Sequence, residues 1–317
     1  MKRLAILSTH PIQYNAPLFR LLAADSTMEV MVFFSKKTEE VRFDPDFGQE
    51  IEWDIPVSEG YPNISFAAST SYGKKALKQA ILDFKPDALL VYGWNFPGHW
   101  SMMRYFKGRV PVWFRGDSTL IDPIPAWKKA LRKALLTAVY RSVDHAFYVG
   151  QANKRYFLWS GLKESQLTLA PHAVDNEFFM RDDETRTKEA MQIRESLGIS
   201  EEATVFLFVG KLEPKKQPLE LADAFQGLPD SSDSHLVFIG AGELEEELSQ
   251  VFGAKPNIHL VGFQNQSQMP IWYRVGDVLC LPSKGPGETW GLAVNEAMAC
   301  GCTAIVSDRV GCAEDIV

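Results

Sequence analysis

Short apolar runs alternate with longer amphipathic stretches along the chain. In the first half these runs are LAILSTH, MEVMVFFS, DALLVYG, VPVWFRG and HAFYVG. In the second half they are TVFLFVGKL, HLVFIGAG, IHLVGF, DVLCLPS and TAIVSD. Continuous apolar runs separated by helical text are typical of parallel strands covered on both faces. The pattern predicts an α/β protein with two doubly wound Rossmann-like domains in series.

A charged stretch interrupts this series, because no strand pattern appears between residue 171 and Thr204. We predict an N-terminal domain over 1–171, a hinge over 172–202 and a C-terminal domain over 203–317. The length of 317 residues also favours two domains, since single cores rarely grow so large. Ligands of open α/β sheets bind beyond the carboxyl ends of the strands, so two domains facing each other would form a cleft there.

The composition narrows the function classes. A hydrophobic content of 46% supports packed cores, and the net charge of −7 argues against a general nucleic-acid binder. The four cysteines, at 280, 300, 302 and 312, lack metal-ligand spacing and are expected to be reduced thiols. The first apolar run is too short for a signal peptide, and no stretch approaches the ~20 apolar residues of a membrane span. We expect a cytoplasmic protein.

The turn VGKLEPKKQP follows the first strand of the second domain. Lys211 and Lys216 flank its proline, and two ammonium groups at a strand's carboxyl end suit a phosphate or diphosphate. From this stretch alone, an equally good interpretation is that Lys215 and Lys216 are solvated loop charges.

The stretch LPSKGPGETWGLAVNEAMACG predicts a strand end, a glycine-rich loop and a helix that begins near Gly291. The first N–H groups of such a helix can bind an anion. Glu288 lies in the loop, where a carboxylate can accept hydrogen bonds from sugar hydroxyls. Glu296 lies in the helix, where a carboxylate can bind a ribose diol. The alternative is that Glu288 caps the helix and Glu296 is a surface residue.

Together these motifs resemble those of the retaining GT-B glycosyltransferases of family 4. Glu288 and Glu296 match the family's E-x7-E signature, and residues 210–216 match its G-[R/K]-L-x-x-x-K turn. The text PHAVDNEFF, residues 171–179, is similar to its P-N-G-V-D-x-x-x-F. The resemblance covers the whole chain and is strongest from about residue 145.

The resemblance implies roles for the matching positions. Lys211 and Lys216 would neutralise the donor diphosphate, Glu288 would contact the transferred sugar, and Glu296 would bind the nucleotide ribose. The other donor-binding positions would be Trp290, Gly291 and Leu292, with Gly262, Phe263 and Gln264 near the base. The resemblance also implies that the reaction needs no catalytic metal and no cofactor besides the nucleotide-sugar substrate.

The first domain departs from the family's common pattern. Family members often carry a Gly–Gly turn after the first strand and a histidine after a middle strand, whereas this chain has STHPIQYNAP and VWFRGDST. This text resembles a bacterial subgroup with THPIQY and RGDS, which implies that the cleft is lined by His10, Gln13, Arg115 and Asp117. The alternatives are a turn histidine and a helix-capping aspartate. His172 is a further candidate, for which a structural linker role is the alternative.

The stretch AWKKALRKALLTAVYR, residues 126–141, carries five basic residues and no acidic one, with apolar residues at helical spacing. A basic amphipathic helix can lie on an anionic membrane, here the inner face of the plasma membrane. The alternative is a helix that covers the first sheet and has a solvated basic face.

The sequence therefore predicts a glycosyltransferase that moves a sugar from a nucleotide diphosphate sugar to a hydroxyl of a polysaccharide or glycolipid, with retention of anomeric configuration. One alternative is a nucleotide-sugar epimerase or hydrolase on the same fold. Another is a non-catalytic nucleotide-sugar-binding protein. Family members usually continue for several helices beyond the text GCAEDIV, so we expect the second domain to be incomplete at Val317.

Overall fold

The computed structural model describes residues 1–36, 42–44, 49–51, 54–181, 184–228 and 233–317. Its contacts divide the chain into two compact units, of which the first comprises 1–40 and 56–172 and the second 41–55 and 173–317. The predicted hinge over 172–202, whose residues 182–183 lie outside the described part, thus falls almost entirely in the second unit. The segment 41–55 also belongs to the second unit, although it lies within the predicted first domain.

The first unit contains a parallel sheet. Its strands are β1 (Lys2–Ser8), β2 (Met28–Phe34), β5 (Asn63–Ser65), β6 (Ala88–Tyr92), β7 (Val112–Arg115), β8 (His145–Tyr148) and β9 (Leu167–Leu169). Its helices are α1 (Ala16–Ala24), α2 (Ser71–Phe84), α3 (His99–Phe106), α4 (Ala126–Tyr140) and α5 (Gln151–Trp159). The strand order among the described residues is β5-β2-β1-β6-β7-β8-β9.

The second unit contains another parallel sheet. Its strands are β10 (Thr204–Val209), β11 (Ser234–Ile239), β12 (Ile258–Gly262), β13 (Val278–Leu281) and β14 (Thr303–Val306), and the short strands β3 (Arg42–Asp44) and β4 (Gln49–Ile51) pair separately. Its helices are α6 (Asn176–Met180), α7 (Glu184–Ser196), α8 (Pro218–Gln226), α9 (Glu245–Phe252), α10 (Met269–Val275), α11 (Leu292–Ala299) and α12 (Ala313–Ile316). The order of the main sheet, within the described ranges, is β12-β11-β10-β13-β14.

Both faces of the first sheet are covered, as a doubly wound domain requires. Leu7 belongs to a core cluster with Leu77 of α2, whereas its neighbour Ile6 belongs to another with Phe19 of α1. Because successive side chains of a strand point to opposite faces, the two clusters lie on opposite sides of the sheet. The two parallel-stranded units confirm the predicted fold class of two doubly wound Rossmann-like domains.

The strand order reverses beside the first strand of each main sheet. β1 pairs with both β2 and β6, and β10 pairs with both β11 and β13. At such a switch point the loops that leave the two neighbouring strands diverge and open a crevice. In the second unit, the loops after β10 and β13 flank that crevice.

The glycines after β11 allow the loop after β10 to lie close to the sheet. A Cβ atom on Gly240 would lie 1.9 Å from the carbonyl oxygen of Gly210, and one on Gly242 would lie 2.5 Å from that of Leu212. Side chains at these two positions would therefore displace the loop that carries Lys211 and Lys216.

Candidate functional site

The lysine turn leaves β10 at the switch point of the second unit. A short 3-10 turn at Pro214–Lys216 follows, and the Lys216 N–H donates to the Glu213 carbonyl oxygen at 2.9 Å. The Lys216 side chain lies close to Gly210, since a Cβ atom there would be 3.3 Å from its Cδ. This turn directs the Lys216 ammonium group back towards the carboxyl edge of the sheet.

The loop that carries Glu288 leaves β13 and is held by the segment before α12. The Gly311 N–H donates to the Glu288 carbonyl oxygen at 3.0 Å, and the Cys312 N–H donates to that of Trp290 at 3.0 Å. Burial raises the pKa of the Cys312 thiol to about 12, and the nearby Glu288 carboxylate adds to this rise. Cys312 is therefore a neutral packing residue beneath the loop.

Lys216 and Glu288 form an ion pair across the switch point. The Lys216 Nζ lies 2.6 Å from the Glu288 Oε2, and the Ser283 hydroxyl donates to the same oxygen at 3.1 Å. The two charged side chains are only 16% and 11% exposed. The ion pair thus brings together the cation that was predicted to bind the donor diphosphate and the carboxylate that was predicted to contact the transferred sugar.

Helix α11 begins directly after this loop. Gly291 has a φ of +94°, and a Cβ atom there would lie 2.8 Å from Val310 Cγ1, so only glycine fits at this position. The predicted helix start near Gly291 is confirmed, since the helix runs from Leu292 to Ala299. Its first N–H groups carry a partial positive charge beside the ion pair.

Glu296 lies in α11 and is 3% exposed. The Tyr273 hydroxyl donates to its Oε2 at 2.7 Å, and the Gln266 Nε2 donates to its Oε1 at 3.1 Å. The sequence analysis identified Glu296 as a candidate but neither of the two residues that donate hydrogen bonds to it. Tyr273 lies in the apolar text MPIWYRV, which reads as a packing helix and carries no local signal of a polar contact.

The remaining residues that were predicted to bind the nucleotide-sugar donor lie around β12 and α11. Phe263 and Gln264 follow β12 and are half-buried, and Gly262 ends that strand with a φ of +78°. The indole N–H of Trp272 donates to Gln264 Oε1 at 3.1 Å, which fixes the orientation of the amide. Trp290 is buried, and its indole N–H donates to Asn295 Oδ1 at 2.7 Å.

Lys211 and Leu292 are half-buried, the first in the loop after β10 and the second at the start of α11.

In the first unit, three of the predicted cleft residues, Arg115, Asp117 and His172, lie near the carboxyl end of β7. The Arg115 guanidinium donates to the carbonyl oxygens of Ala170 and Pro171, at 2.7 and 3.1 Å. The His172 Nε2 lies 3.8 Å from Asp117 Oδ2. Arg115 thereby ties the end of the first unit to its central sheet.

His10 and Gln13 lie apart from these residues in the chain, in the loop after β1, and both are half-buried.

Sequence reasoning missed His99, which is fully buried beneath the same edge of the first sheet. Its Nδ1 donates to the Gly93 carbonyl oxygen at 2.9 Å, so its Nε2 accepts from the Ser35 hydroxyl, also at 2.9 Å. Burial lowers the pKa of His99 to about 4, against a weaker raising effect of backbone hydrogen bonds. The neutral imidazole thus joins the ends of β2 and β6.

Among the described residues, a metal-ligand cluster and a membrane-spanning helix are both absent. Within those ranges, no three His, Cys, Asp or Glu side chains are grouped so that they would hold a metal ion. No helix in the described part of the chain is long and apolar enough to cross a membrane.

Comparison with known proteins places this site in context. Residues 190–317 match the family model for glycosyl transferases group 1. The D-inositol 3-phosphate glycosyltransferase 2 of Catenulispora acidiphila is 32% identical over 142 residues, which cover 41% of this chain and 33% of that protein. The match therefore spans about a third of this curated relative's length.

Solved structures share the fold over nearly the whole chain. Anabaena HepE in complex with UDP-glucose has a TM-score of 0.68 at 14% identity, covering 99% of this chain and 82% of that one. A glycosyltransferase from Rickettsia africae has a TM-score of 0.72 at 12% identity, covering 99% and 81%. The chain has the fold of the GT-B glycosyltransferases, and its residues 190–317 match the family model for glycosyl transferases group 1.

Proposed function

We propose that this protein transfers a sugar from a nucleotide diphosphate sugar to a hydroxyl group of a polysaccharide or glycolipid, with retention at the anomeric carbon. The observation that carries the proposal is the ion pair between Lys216 and Glu288, 2.6 Å apart beside the start of α11. An ammonium group and a helix N-terminus suit the diphosphate, and the carboxylate suits the sugar hydroxyls.

The proposed reaction breaks the bond between the anomeric carbon and the diphosphate oxygen and forms a bond to the acceptor oxygen on the same face. The acceptor's proton passes to the departing phosphate oxygen. Negative charge grows on the diphosphate as the bond breaks, so the groups that bind it contribute most at the transition state. Lys211, Lys216 and the N–H groups of α11 would supply this stabilisation without a metal ion.

Known proteins support a nucleotide-sugar donor. The Anabaena structure of similar fold was solved with UDP-glucose, and the curated relatives are named as glycosyltransferases. The alternatives are a nucleotide-sugar epimerase or hydrolase and a non-catalytic nucleotide-sugar-binding protein. None of the proteins described above is named as one of these.

We also propose that helix α4 contacts an anionic membrane surface near a lipid-linked acceptor. The first ten residues of this helix, 126–135, are exposed, and only Leu136, Val139 and Tyr140 are buried. Trp127 and Leu131, each 66% exposed, form an outward apolar stripe with Leu135. All three lie in the exposed first ten residues of the helix, so this stripe does not cover the sheet.

The helix carries four exposed cations and no acidic residue. They are Lys128, Lys129, Arg132 and Lys133. A tryptophan and leucines beside several cations suit the boundary between anionic headgroups and acyl chains. Charge complementarity therefore favours an anionic bilayer as the occupant of this face.

The function is tested by titrating the full chain with a panel of nucleotide sugars and following the thermal midpoint. A true donor raises the midpoint in a concentration-dependent way, because it binds only the folded state. The stabilising donor is then incubated with lipid-linked saccharide acceptors, and the products are separated by mass. A donor that is hydrolysed or epimerised at the same rate with and without acceptor would contradict transfer.

A further inference from the structure

We propose that Tyr273 and Gln266 are positioning residues, which hold the Glu296 carboxylate so that it selects a ribose diol on the donor nucleotide. This inference rests on the proposed function. It concerns two residues that no sequence motif of the chain marks, and it gives Glu296 a specific task at the 2′-hydroxyl.

Each oxygen of the Glu296 carboxylate is bound by one of these residues. The Tyr273 hydroxyl donates to Oε2 at 2.7 Å, and the Gln266 amide donates to Oε1 at 3.1 Å. Tyr273 lies in α10, Gln266 in the loop between β12 and α10, and Glu296 in α11. Two donors from outside its own helix therefore fix the plane of the carboxylate.

The two donors are themselves held in place. Tyr273 is fully buried, and its ring packs edge-on against Phe179 with centroids 6.2 Å apart. The Cys302 thiol donates to the Tyr273 carbonyl oxygen at 2.8 Å. The Gln266 N–H donates to the Asn265 side-chain oxygen at 2.9 Å. Tyr273 is therefore unable to leave the carboxylate without disturbing its packed neighbours, and the Gln266 backbone is held by a local hydrogen bond.

Hydrogen bonds to both oxygens favour the ionised form of a buried carboxylate. An ionised carboxylate only accepts, so it attracts hydroxyl groups rather than other acceptors. A vicinal diol presents two such hydroxyl groups at a fixed spacing, and the fixed plane of the carboxylate suits it. Without Tyr273 or Gln266, the carboxylate would rotate or recruit another donor, and the preference for the diol would fall.

The experiment compares each nucleoside diphosphate with its 2′-deoxy form by calorimetric titration of the full chain. The probes are UDP, ADP and GDP, of which the tightest binder is used with its 2′-deoxy counterpart. Because a hydrogen bond to a charged group contributes enough for about a tenfold change in affinity, the wild type should prefer the ribose form by about tenfold. In Tyr273→Phe this preference should fall to about threefold or less.

Tyr61→Phe is the matched control. The Tyr61 hydroxyl is also buried, and it donates to the Val57 carbonyl oxygen at 2.6 Å in the first unit. This variant removes a comparable hydrogen bond and should keep the wild-type preference for ribose. Gln266→Leu, which removes the second donor, should lower the preference as Tyr273→Phe does, and it serves where Tyr273→Phe fails to fold.

The possible failures are distinguishable. A wild type that binds a diphosphate but does not prefer ribose would overturn the inference and leave nucleotide binding intact. A wild-type ribose preference that persists in both Tyr273→Phe and Gln266→Leu would show that these residues serve stability only. A wild type that binds none of the three diphosphates, in a chain that is folded, would overturn the proposed function together with the inference.

Discussion

At the scale of single residues, Lys216 and Glu288 are each other's partners in an ion pair. A diphosphate that binds Lys216 would therefore compete with the Glu288 carboxylate for the same ammonium group. Removing one member of a well-buried pair leaves the other uncompensated, which is costly. Substitutions at the two positions are thus expected to affect ligand binding in opposite directions.

Lys216→Ala should weaken the binding of a nucleoside diphosphate by roughly 10- to 100-fold, since a charged hydrogen bond contributes about 1.5–3 kcal/mol. The nucleoside without phosphates should bind almost as before, because its base and ribose do not depend on the ammonium group. Calorimetric titration with both ligands measures the two effects.

Lys215→Ala is the matched control for this substitution. Lys215 is adjacent in the chain, but its Nζ lies 3.0 Å from Glu213 Oε1 and is not paired with Glu288. Its removal should change neither affinity by more than about twofold, as is usual for a solvated surface charge. If Lys216→Ala bound the diphosphate as tightly as the wild type, Lys216 would have no role in phosphate binding.

Glu288→Gln should behave differently. The substitution keeps the shape of the side chain but removes the charge that holds Lys216, so diphosphate affinity should stay at the wild-type level or rise. Sugar transfer should fall by about 10-fold or more, because a neutral amide accepts hydrogen bonds from sugar hydroxyls less strongly. Parallel binding and turnover measurements test this, and equal losses in both would refute the division of roles.

Three of the residues that sequence reasoning located share one property. Glu288, Gly291 and Lys216 lie in glycine- or proline-containing loops after buried strands, so their role is indicated by local text. Tyr273 and His99 are different, because both lie in helices amid apolar text and bond to partners far away in the chain. Non-local contacts of this kind leave no pattern in a single sequence.

At the scale of elements, helix α4 departs most from expectation. Its periodicity predicts an amphipathic helix correctly, and the usual consequence is that the apolar stripe faces the core. Here the buried residues Leu136, Val139 and Tyr140 lie in the last five residues of the helix, and the stripe of Trp127, Leu131 and Leu135 lies in its exposed first ten. Periodicity determines the stripe but not which part of the helix the fold buries.

The membrane contact predicts a salt-sensitive association with lipid. The full chain should sediment with vesicles of phosphatidylcholine containing about 30% phosphatidylserine and should be released by high salt, because screening weakens the attraction of the cations. Replacing Lys128, Lys129, Arg132 and Lys133 by glutamine should reduce sedimentation by about 10-fold or more, at about 1 kcal/mol per cation near the surface. Trp127→Ser should also weaken binding, by removing the apolar anchor.

A control for total charge is available on another helix of the first unit. Lys74, Lys75 and Lys78 lie on α2, and their replacement by glutamine lowers the charge without touching the α4 stripe. This variant should sediment like the wild type. Sedimentation that is equally reduced in both sets would indicate a general effect of net charge, and sedimentation unchanged by the α4 set would rule out this helix as the membrane contact.

At the scale of the whole molecule, strand pattern predicted two doubly wound units correctly, because each buried parallel strand is a continuous apolar run. The assignment of 41–55 to the second unit was not predictable in the same way. That assignment depends on contacts with residues far along the chain, and the text around it has no strong periodicity. The sequence likewise contains no sign that 173–202 packs with the second unit.

Each unit also contains at least one histidine whose pKa is lowered by burial, so the stability of the fold depends on pH. In the first unit, burial lowers the pKa of His99 to about 4. In the second, burial lowers the pKa of His235 and of His259, whose Nδ1 and Nε2 atoms lie 3.0 Å apart. Because only one of these two nitrogens carries the shared proton, the pair is stable only while at least one ring is neutral.

The direction in which stability changes with pH follows from proton linkage. A histidine whose pKa is lower in the folded state binds fewer protons when folded, so its contribution is fully present above the unfolded pKa of about 6.5 and is lost as the pH falls. For His99 the loss extends to about pH 4 and amounts to about 3 kcal/mol in the free energy of unfolding.

The thermal midpoint, measured by calorimetry between pH 7.5 and 4.5, should therefore fall steadily below pH 6.5. The variant His259→Gln should show a shallower fall than the wild type, because it removes one of the histidines whose pKa burial lowers. A midpoint that stays constant from pH 6.5 to 4.5 would mean that these imidazoles are not held neutral by the fold.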